Sequence, residues 1–345
     1  MAFERSGWFS QAMPFLVANQ DVPDEVLDEA FKAMTSNQMN EFESGVFLAA
    51  LRVKGESPRE LTRSATYLRR QMVKIRSSRE PILDTCGTGG DNSGTFNIST
   101  ATALVLAGAG CSVVKHGNRS VSSRSGSADV LEELGIAIDP GPELSEKCLE
   151  EIGFTFCYAP RFHPCLAHIG AVRRLLGFRT IFNLLGPLLN PAGSKCQLIG
   201  VGSIELLEPM ARACQALGTT HGIIAHGEDG LDEVTLCDTT HIRRIIHGTI
   251  KEELWSPGDF GLSSCELSDL RVENAQESAA IILEILRGGA GACERIVVAN
   301  AAAGLLNVEL VSNLKDGVSL ARQAIASGAA WQVLEKLRNL KFSLS

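Results

Sequence analysis

The chain has 345 residues, enough for two domains, and its hydrophobic and charged fractions of 45% and 21% are ordinary for a globular protein. Its net charge of −8 and its lack of a Lys/Arg block argue against a protein that works on nucleic acid. No apolar run is long enough to span a bilayer, and the N-terminus lacks the pattern of a signal peptide. We therefore expect a cytoplasmic protein with no membrane or nucleic-acid partner.

The ten cysteines are scattered along the chain and form no C-x-x-C pair. Cys111, Cys157 and Cys196 stand in apolar, strand-like runs, as buried thiols do. The pattern favours reduced thiols in a reducing compartment over a disulfide framework or a zinc site.

The first 78 residues have the apolar periodicity of amphipathic helices. Apolar side chains recur at helical spacing over 24–34 and again over 42–51. Ser57 and Glu60 have the spacing of a capping box at the start of another helix. Short helices of this kind bury their apolar faces against each other, the rest of the chain or a second subunit. The pattern predicts a small N-terminal helical domain over 1–78.

From Pro81 onward, short β-rich runs alternate with helical stretches, as in a mostly parallel sheet covered by helices. The β-rich runs are 82–83, 112–115, 154–158, 197–201, 222–225 and 296–299. Residues 173–189 have a helical pattern again, and we expect them to cross back to the helical domain. We assign 79–170 and 193–345 to a larger α/β domain, with 171–192 packing on the helical domain.

The most informative local feature is the run D-T-C-G-T-G-G-D over 84–91, directly after the first predicted strand. Its glycines let the backbone turn sharply and direct several N–H groups toward one anion, and an apolar helix begins near Thr100. A strand, a glycine loop and a helix in this order indicate a phosphate site. The run is neither a Walker A loop nor a dinucleotide fingerprint. A simple tight turn is the alternative interpretation.

Two polar clusters support the phosphate site. Residues 97–100 offer an amide and two hydroxyl groups at a helix start, although N-capping alone would explain one of them. Residues 115–123 follow a predicted strand and supply two cations, an imidazole, an amide and several hydroxyls. Loops at the carboxyl ends of parallel strands line ligand crevices. The alternative for this second cluster is a solvated polar loop.

A candidate metal site is Asp232-Glu233, which follows the glycine-bearing stretch 227–230. Carboxylate ligands on a loop suit Mg²⁺, which usually bridges to substrate phosphates. An isolated acidic pair is more often a solvated turn, so the assignment depends on the phosphate loops.

Five motifs together closely resemble the anthranilate phosphoribosyltransferase family in order and spacing. The resemblance extends from about Phe42 to Gly304. The motifs are Gly87-Thr88-Gly89-Gly90-Asp91, Asn97-x-Ser99-Thr100, Lys115-His116-Gly117-Asn118-Arg119, Arg179-Thr180-Ile181-Phe182-Asn183-Leu184-Leu185-Gly186-Pro187 and Leu231-Asp232-Glu233-Val234.

The resemblance implies a fold of the nucleoside phosphorylase/phosphoribosyltransferase class with a helical N-terminal domain, and a homodimer formed through the helical part. It implies transfer of a phosphoribosyl group from phosphoribosyl pyrophosphate to anthranilate, in tryptophan biosynthesis. It also implies that phosphoribosyl pyrophosphate binds to Gly87, Gly90, Asp91, Thr95, Asn97, Ile98, Ser99, Thr100, Lys115, His116, Gly117, Asn118, Arg119, Ser120, Val121, Ser122, Ser123 and Ser127.

The metal and acceptor residues also come from the resemblance. Ser99, Asp232 and Glu233 are implied to hold two Mg²⁺ ions, and no residue is assigned as a catalytic acid or base. Gly87, Asn118 and Arg173 are implied to contact anthranilate, with His116 and Pro187 shaping its channel. A guanidinium such as that of Arg173 pairs in bidentate fashion with a carboxylate. The alternative is a helix-surface arginine, since Arg174 is adjacent.

The chain departs from the usual family pattern on the acceptor side. Ala167 replaces a cation, Ala171 replaces a proline, and Leu189 stands where threonine is frequent. These departures motivate one alternative function, a phosphoribosyltransferase for another aromatic amine. A pyrimidine nucleoside phosphorylase is disfavoured by the Lys115 motif. A catalytically idle nucleic-acid-binding relative should have lost the glycine loop and the acidic pair and gained a basic face.

Overall fold

A computed structural model describes residues 5–36, 39–120 and 124–340. In the N-terminal part, the described residues form the helices α1 (Gly7–Val17), α2 (Asp24–Met34), α3 (Glu41–Lys54) and α4 (Pro58–Gln71). Helices α2 and α3 lie where the apolar periodicity predicts them. Ser57 and Glu60 form the predicted capping box at the start of α4.

The rest of the chain is built around a seven-stranded sheet. Its strands are β1 (Ile82–Gly87), β2 (Ser112–Gly117), β3 (Phe154–Tyr158), β4 (Cys196–Gly200), β5 (His221–Gly227), β6 (Thr240–Ile246) and β7 (Thr249–Trp255). The strand order is β3-β2-β1-β4-β5-β6-β7. Strands β1 to β5 pair in parallel, while β6 and β7 add an antiparallel hairpin that the sequence patterns did not predict. The expected mostly parallel sheet is confirmed.

Helices cover this sheet and link its parallel strands. They are α5 (Ile98–Gly108), α6 (Ser127–Glu133), α7 (Gly141–Ile152), α8 (Ala159–Phe162), α9 (Gly170–Leu176), α10 (Ile181–Leu185), α11 (Leu207–Ala216), α12 (Pro257–Phe260), α13 (Ala275–Leu286), α14 (Ala292–Asn307), α15 (Leu314–Ala326) and α16 (Ala329–Arg338). The side chains of α5 are buried over nearly its whole length, which explains its uniformly apolar sequence.

One predicted strand is wrong. Residues 296–299 lie inside α14, where Ile296, Val297 and Val298 are fully buried. A short apolar run has the same pattern in a buried strand and in a helix that is buried on all sides. After Asn300, the run A-A-A-G-L-L continues the mostly apolar stretch to residue 306. The whole stretch of eleven residues is longer than an ordinary buried strand, and it fits a helix.

The segment 173–189 is helical but interrupted. It contains most of α9, all of α10 and a 3-10 turn, and Gly177 ends α9 with a left-handed backbone at φ 67°. Ile181, Phe182 and Leu185 belong to the same buried cluster as side chains of α1 to α4. This segment therefore packs on the N-terminal helices. The exact domain boundaries stay a prediction.

Two expectations from composition concern thiols and membrane spans. All ten cysteines are free, and Cys111, Cys157 and Cys196 are buried as predicted. Within the part of the chain that the structure describes, no helix has both the length and the apolar character needed to cross a membrane.

Candidate active site

The glycine loop follows β1 at the carboxyl edge of the parallel strands, where ligands of such sheets bind. Gly87 ends β1 beside Gly200 of β4, and Gly89 and Gly90 adopt left-handed φ values of 68° and 89°. A side chain at Gly87 would place its Cβ 2.6 Å from Oδ2 of Asp232. The loop therefore lies against the acidic pair only because this position lacks a side chain.

The acidic pair joins the glycine loop to the start of α5. Oδ2 of Asp232 accepts a hydrogen bond from the N–H of Gly89 at 2.8 Å. Oε1 of Glu233 accepts a hydrogen bond from the N–H of Ser99 at 3.1 Å. The acidic pair, 143 and 134 residues beyond these two partners, thus meets both the glycine loop and the start of α5.

Lys115 of β2 contacts the same region, at the end of β1 and the start of α5. Its buried Nζ donates hydrogen bonds to the carbonyl oxygen of Thr85 at 2.6 Å and to Oγ of Ser99 at 3.1 Å. Burial lowers the pKa of Lys115, while the negative charges of Asp84 and Glu233 act in the opposite direction. The cation is therefore held in place by partners on β1 and α5 before any ligand arrives.

Burial and the charge of Asp91 raise the pKa values of both acidic residues. Burial raises the pKa of Asp232 well above its ordinary value, and the charges of Asp91 and Glu233 add to this shift. Burial also raises the pKa of Glu233 to about 8, although Lys115 opposes the shift. A divalent cation would relieve this repulsion, and carboxylate oxygens are ligands that Mg²⁺ prefers. The residues present therefore fit a magnesium site.

Asn97 stands at the N-cap position of α5, but its side chain makes no capping hydrogen bond. Its Oδ1 instead accepts hydrogen bonds from the hydroxyls of Ser125 at 2.6 Å and Ser278 at 2.9 Å. The alternative that Asn97 merely caps the helix is therefore wrong. The neighbouring Ile98 and Thr100 have buried side chains, so they shape this turn rather than face a ligand with their side chains.

Other predicted donor residues lie on the same loops. Oδ1 of Asp91 accepts a hydrogen bond from the N–H of Ser93 at 3.3 Å, and Oγ of Ser93 is 3.2 Å from Oγ1 of Thr95. A Cβ at Gly117 would lie 2.1 Å from Oγ of Ser127. Gly117 therefore allows the end of β2 to approach the start of α6.

The imidazole of His116 is buried and fully engaged by protein groups. Its Nδ1 is 3.2 Å from the carbonyl oxygen of Gly186, and its Nε2 is 3.1 Å from Nε2 of His163. Burial lowers the pKa of His116 to about 3 and that of His163 to about 4. Both rings are therefore neutral at neutral pH, and they join the end of β2 to the 3-10 turn at Pro164–Ala167.

Arg119, by contrast, directs its charge toward α6. Its two Nη atoms donate to the carboxylate of Glu132 at 2.6 and 2.7 Å, and Nη1 also donates to Asp129 at 3.2 Å. The N–H of Ser120 donates to the same Asp129 at 2.9 Å. These bonds orient the loop, while the predicted residues 121–123 lie outside the described residues.

Arg173 lies on α9 with its guanidinium carbon 5.4 Å from the centroid of the Phe182 ring. Its side chain is half-buried, its pKa is lowered by burial, and none of the carboxylates in the described ranges forms an ion pair with it. Arg174 beside it is exposed. Arg173 is therefore less exposed than its neighbour, and its role toward the acceptor stays a prediction. A partly buried cation without a counterion suits an anionic ligand.

Two residues that the sequence reasoning left without a role hold the site together. Arg179 donates from Nη2 to the carbonyl oxygen of Thr88 at 2.8 Å and from Nη1 to that of Gly89. Asn300 of α14 donates to the carbonyl of Val234 at 2.8 Å and accepts from its N–H at 3.0 Å, next to Glu233. Arg179 is the first residue of the motif 179–187, so the sequence did indicate that it belongs to the site. Nothing in the sequence marks Asn300.

Asp84 is the third residue without an assigned role. It is fully buried inside β1, and burial raises its pKa to about 6 despite the nearby charge of Lys115. The N–H of His116 donates to its Oδ1 at 3.5 Å. A carboxylate inside an apolar strand was itself a signal, because such a residue is rarely buried without a partner.

The fold and this site define a class of protein. Residues 15–72 match the helical bundle domain of the glycosyl transferase family, and residues 79–331 match the a/b domain of that family. The chain therefore has the architecture of a glycosyl transferase of this family. A helical domain is joined to an α/β domain, in which the glycine loop faces the acidic pair.

Comparison with individual relatives identifies the family more closely. The chain is 46% identical to the anthranilate phosphoribosyltransferase of Desulfitobacterium hafniense (strain Y51), over 95% of this chain and 97% of that one. The crystal structure of the anthranilate phosphoribosyltransferase from Thermus thermophilus has a TM-score of 0.88 at 38% identity, covering 95% and 98%. The Saccharomyces cerevisiae enzyme in complex with PRPP and Mg has a TM-score of 0.89 at 28% identity, covering 97% and 98%. The chain belongs to the anthranilate phosphoribosyltransferase family.

Proposed function

We propose that the chain transfers the 5-phosphoribosyl group from phosphoribosyl pyrophosphate to the amine of anthranilate. The products are N-(5-phosphoribosyl)anthranilate and pyrophosphate, in tryptophan biosynthesis. The main support for this proposal is a set of hydrogen bonds at one edge of the sheet. They connect the glycine loop, Ser99, Lys115 and the pair Asp232-Glu233. Family membership supports the choice of both substrates.

The donor binds along the glycine loop, the first turn of α5 and the loop after β2. This proposal covers all the donor residues that the resemblance implies. The N–H of Gly89 already bonds to Asp232, whereas the backbone turn at Gly90 and the N-terminus of α5 favour a phosphate at this position. Arg119 orients the loop through Glu132 and does not contribute a free charge.

Ser99, Asp232 and Glu233 hold Mg²⁺ in this proposal, and two ions are expected. The pKa of Glu233 is raised to about 8, and that of Asp232 is also raised. The negative charges of these two carboxylates are therefore poorly compensated by nearby protein groups, which favours a bound cation here. When bound, Mg²⁺ supplies positive charge that stabilises the pyrophosphate leaving group. The yeast relative in complex with PRPP and Mg supports the choice of metal.

The protein contributes position and electrostatics to the reaction. The C1–pyrophosphate bond of the donor breaks while positive charge develops on the ribose ring, and Lys115 stabilises the departing anion. The aromatic amine of anthranilate is uncharged at neutral pH, so it attacks C1 without a strong general base, and the nitrogen releases one proton to solvent as the C1–N bond forms. Orientation of the two substrates alone supplies roughly 7–11 kcal/mol in favourable cases. Attack opposite to the leaving group inverts the anomeric centre.

The acceptor binds against Gly87, Asn118 and Arg173, with His116 and Pro187 shaping its channel. The guanidinium of Arg173 pairs with the carboxylate of anthranilate, which gives this half-buried cation the counterion that it lacks among the described side chains. The Phe182 ring beside it fixes the plane of the guanidinium.

A homodimer through the helical part completes the proposal. Five of the eight large hydrophobic side chains that are exposed among the described residues lie on or next to α1, α3 and α9. They are Val17, Phe42, Val53, Leu175 and Phe178. A second copy of the chain would cover an apolar surface that water otherwise contacts. The expected cytoplasmic location and the absence of a nucleic-acid partner stay predictions.

The test is the loss of anthranilate fluorescence after addition of phosphoribosyl pyrophosphate, with Mg²⁺ and with a chelator. A decrease that needs both the donor and Mg²⁺ is the expected result. No decrease, together with calorimetric binding of the donor, would favour another aromatic amine as the acceptor. Failure to bind the donor would overturn the proposal and favour the idle binding module, an alternative that neither the retained glycine loop nor the net charge of −8 supports.

A further inference from the structure

A second cluster of metal-ligating side chains lies at the edge of the sheet opposite to the active site. His221 is the first residue of β5, whereas the active site is at the carboxyl ends of the parallel strands. His247 lies in the turn between β6 and β7, and Glu309 follows α14. One ligating atom from each of these three side chains lies within 4.8 Å of the other two.

Two of the three distances in this cluster suit ligands around one ion. Nε2 of His221 is 3.5 Å from Oε1 of Glu309, and Nε2 of His247 is 3.7 Å from the same oxygen. Zinc with bonds of about 2.0–2.2 Å in tetrahedral geometry keeps its ligand atoms about 3.3–3.6 Å apart. The ligating nitrogens of the two histidines lie within 4.8 Å of one another, so the exposed side chain of His247 has to turn toward His221 for all three to bind a common ion.

The orientation of His221 also favours a metal ligand. Its Nδ1 is 3.2 Å from Oγ1 of Thr220, so a proton on Nδ1 is satisfied there and leaves the lone pair on Nε2. This Nε2 atom is buried and has no hydrogen-bond partner among the described residues, although Glu309 is close. A buried nitrogen that faces a carboxylate without a hydrogen bond is a feature that a shared cation explains.

The turns that the chain makes here set the positions of the other two ligands. His247 and Gly248 form the two-residue loop of the β6–β7 hairpin, and their φ values of 48° and 75° are those that such a loop requires. Glu309 has a φ of 58° just after the end of α14, where left-handed residues commonly stop a helix. The Nδ2 of Asn307 donates to the carbonyl oxygen of His221 at 3.3 Å, which ties the end of α14 to the start of β5.

We propose that His221, His247 and Glu309 form a site for a divalent transition metal, with zinc as the best-fitting ion. Two imidazoles and one carboxylate are a zinc ligand set that leaves a fourth position for water. The nitrogen ligands select against Mg²⁺, which takes oxygen ligands, so this site is chemically distinct from the acidic pair. Its bound metal joins the β6–β7 turn to the start of β5 and the end of α14.

The test is titration of the full chain with Co²⁺ in excess Mg²⁺, followed by visible absorption, because tetrahedral Co²⁺ absorbs strongly there. We expect one equivalent to bind with nitrogen and oxygen ligands. H247A and E309Q should weaken binding by about 100-fold or more, since even changes in residues that support a ligand cost about 10–100-fold. The matched control is H241A, because His241 pairs with one carboxylate, Glu228, at 2.9 Å.

A thermal readout with Zn²⁺ complements the spectra. Zn²⁺ should raise the Tm of the wild type and of H241A but not that of H247A, whose folding is checked by its Tm in chelator. Phosphoribosyl transfer with Mg²⁺ should be unchanged in H247A, since this side chain is exposed and at the opposite edge of the sheet. Equal metal affinity in the wild type, H247A and E309Q would overturn the proposal. So would a sulfur-to-cobalt charge-transfer band, or no binding to the wild type.

Discussion

The two sides of the candidate active site differ in how firmly the protein fixes them. On the donor side, which comprises the glycine loop, the start of α5, Lys115 and the acidic pair, hydrogen bonds join segments distant in sequence. On the acceptor side, residues 163–176, Arg173 has a ring contact with Phe182 but no ion pair among the described residues. Two of the three departures from the family pattern, Ala167 and Ala171, also lie on this side.

This difference follows from the chemistry of each side. The donor side must stabilise charge that develops during bond breaking, which requires dipoles and charges fixed in advance. The acceptor side has to orient one flat aromatic acid, which a guanidinium and an apolar wall accomplish. Substitutions on the donor side should therefore act on kcat, and those on the acceptor side on the KM for anthranilate.

The largest effect is expected on the donor side from Asp232→Ala combined with Glu233→Ala. Turnover should fall by about 10³-fold or more, because the site loses its proposed metal ligands. The Tm should change little, since relief of the burial and repulsion that raise both pKa values offsets the loss of the hydrogen bonds to Gly89 and Ser99. Steady-state kinetics and thermal unfolding measure the two quantities. Asp238→Ala, an exposed acidic residue nearby, is the control, and near-normal activity of the double variant would contradict the metal assignment.

The next effect is expected from Lys115→Met. The kcat should fall by about 10²–10³-fold with little change in the KM for anthranilate, because a charge that stabilises the leaving group is lost. Methionine fills the buried volume, so circular dichroism should show a folded protein. Lys195→Met, at an exposed lysine, should have wild-type kcat. A kcat within tenfold of the wild type at position 115 would show that the buried ammonium is structural.

On the acceptor side, Arg173→Gln should raise the KM for anthranilate by about 10–100-fold. That range corresponds to the loss of a charge-assisted hydrogen bond of about 1.5–3 kcal/mol. The KM for phosphoribosyl pyrophosphate should stay unchanged, which initial-rate kinetics with each substrate varied would establish. The adjacent exposed Arg174→Gln is the matched control. An equal change in both KM values would remove the distinction between the two sides.

The smallest effect concerns the His116–His163 pair, which links the two sides. Burial depresses both pKa values below the ordinary 6.5, so the folded state binds fewer protons than the unfolded state. Stability should therefore fall as the pH drops from about 6.5 toward 4. His163→Gln should reduce that loss by about 2–3 kcal/mol, and His168→Gln, at an exposed histidine, should not. Urea unfolding at several pH values measures this, and parallel pH profiles for wild type and His163→Gln would contradict it.

Local patterns determined much of the fold before any tertiary contact was considered. The periodicity over 24–34 predicts α2 to the residue, and the capping box of Ser57 and Glu60 begins α4 as predicted. Five of the six predicted β-rich runs are strands, because their turns and apolar cores are local signals. The motifs likewise named segments that the structure brings together, namely the glycine loop, Ser99, Lys115 and the acidic pair, while their roles toward the donor stay predictions.

The tertiary structure decided the features that depend on distant partners. Whether 296–299 was a strand or a helix depended on burial on all sides, which a short apolar run does not encode. That Arg119 pairs with Glu132 while Lys115 faces Ser99 is a matter of which loops meet, although both cations belong to one motif. Asn300 and the cluster of His221, His247 and Glu309 have no local signature at all, because their residues become neighbours only when the chain folds.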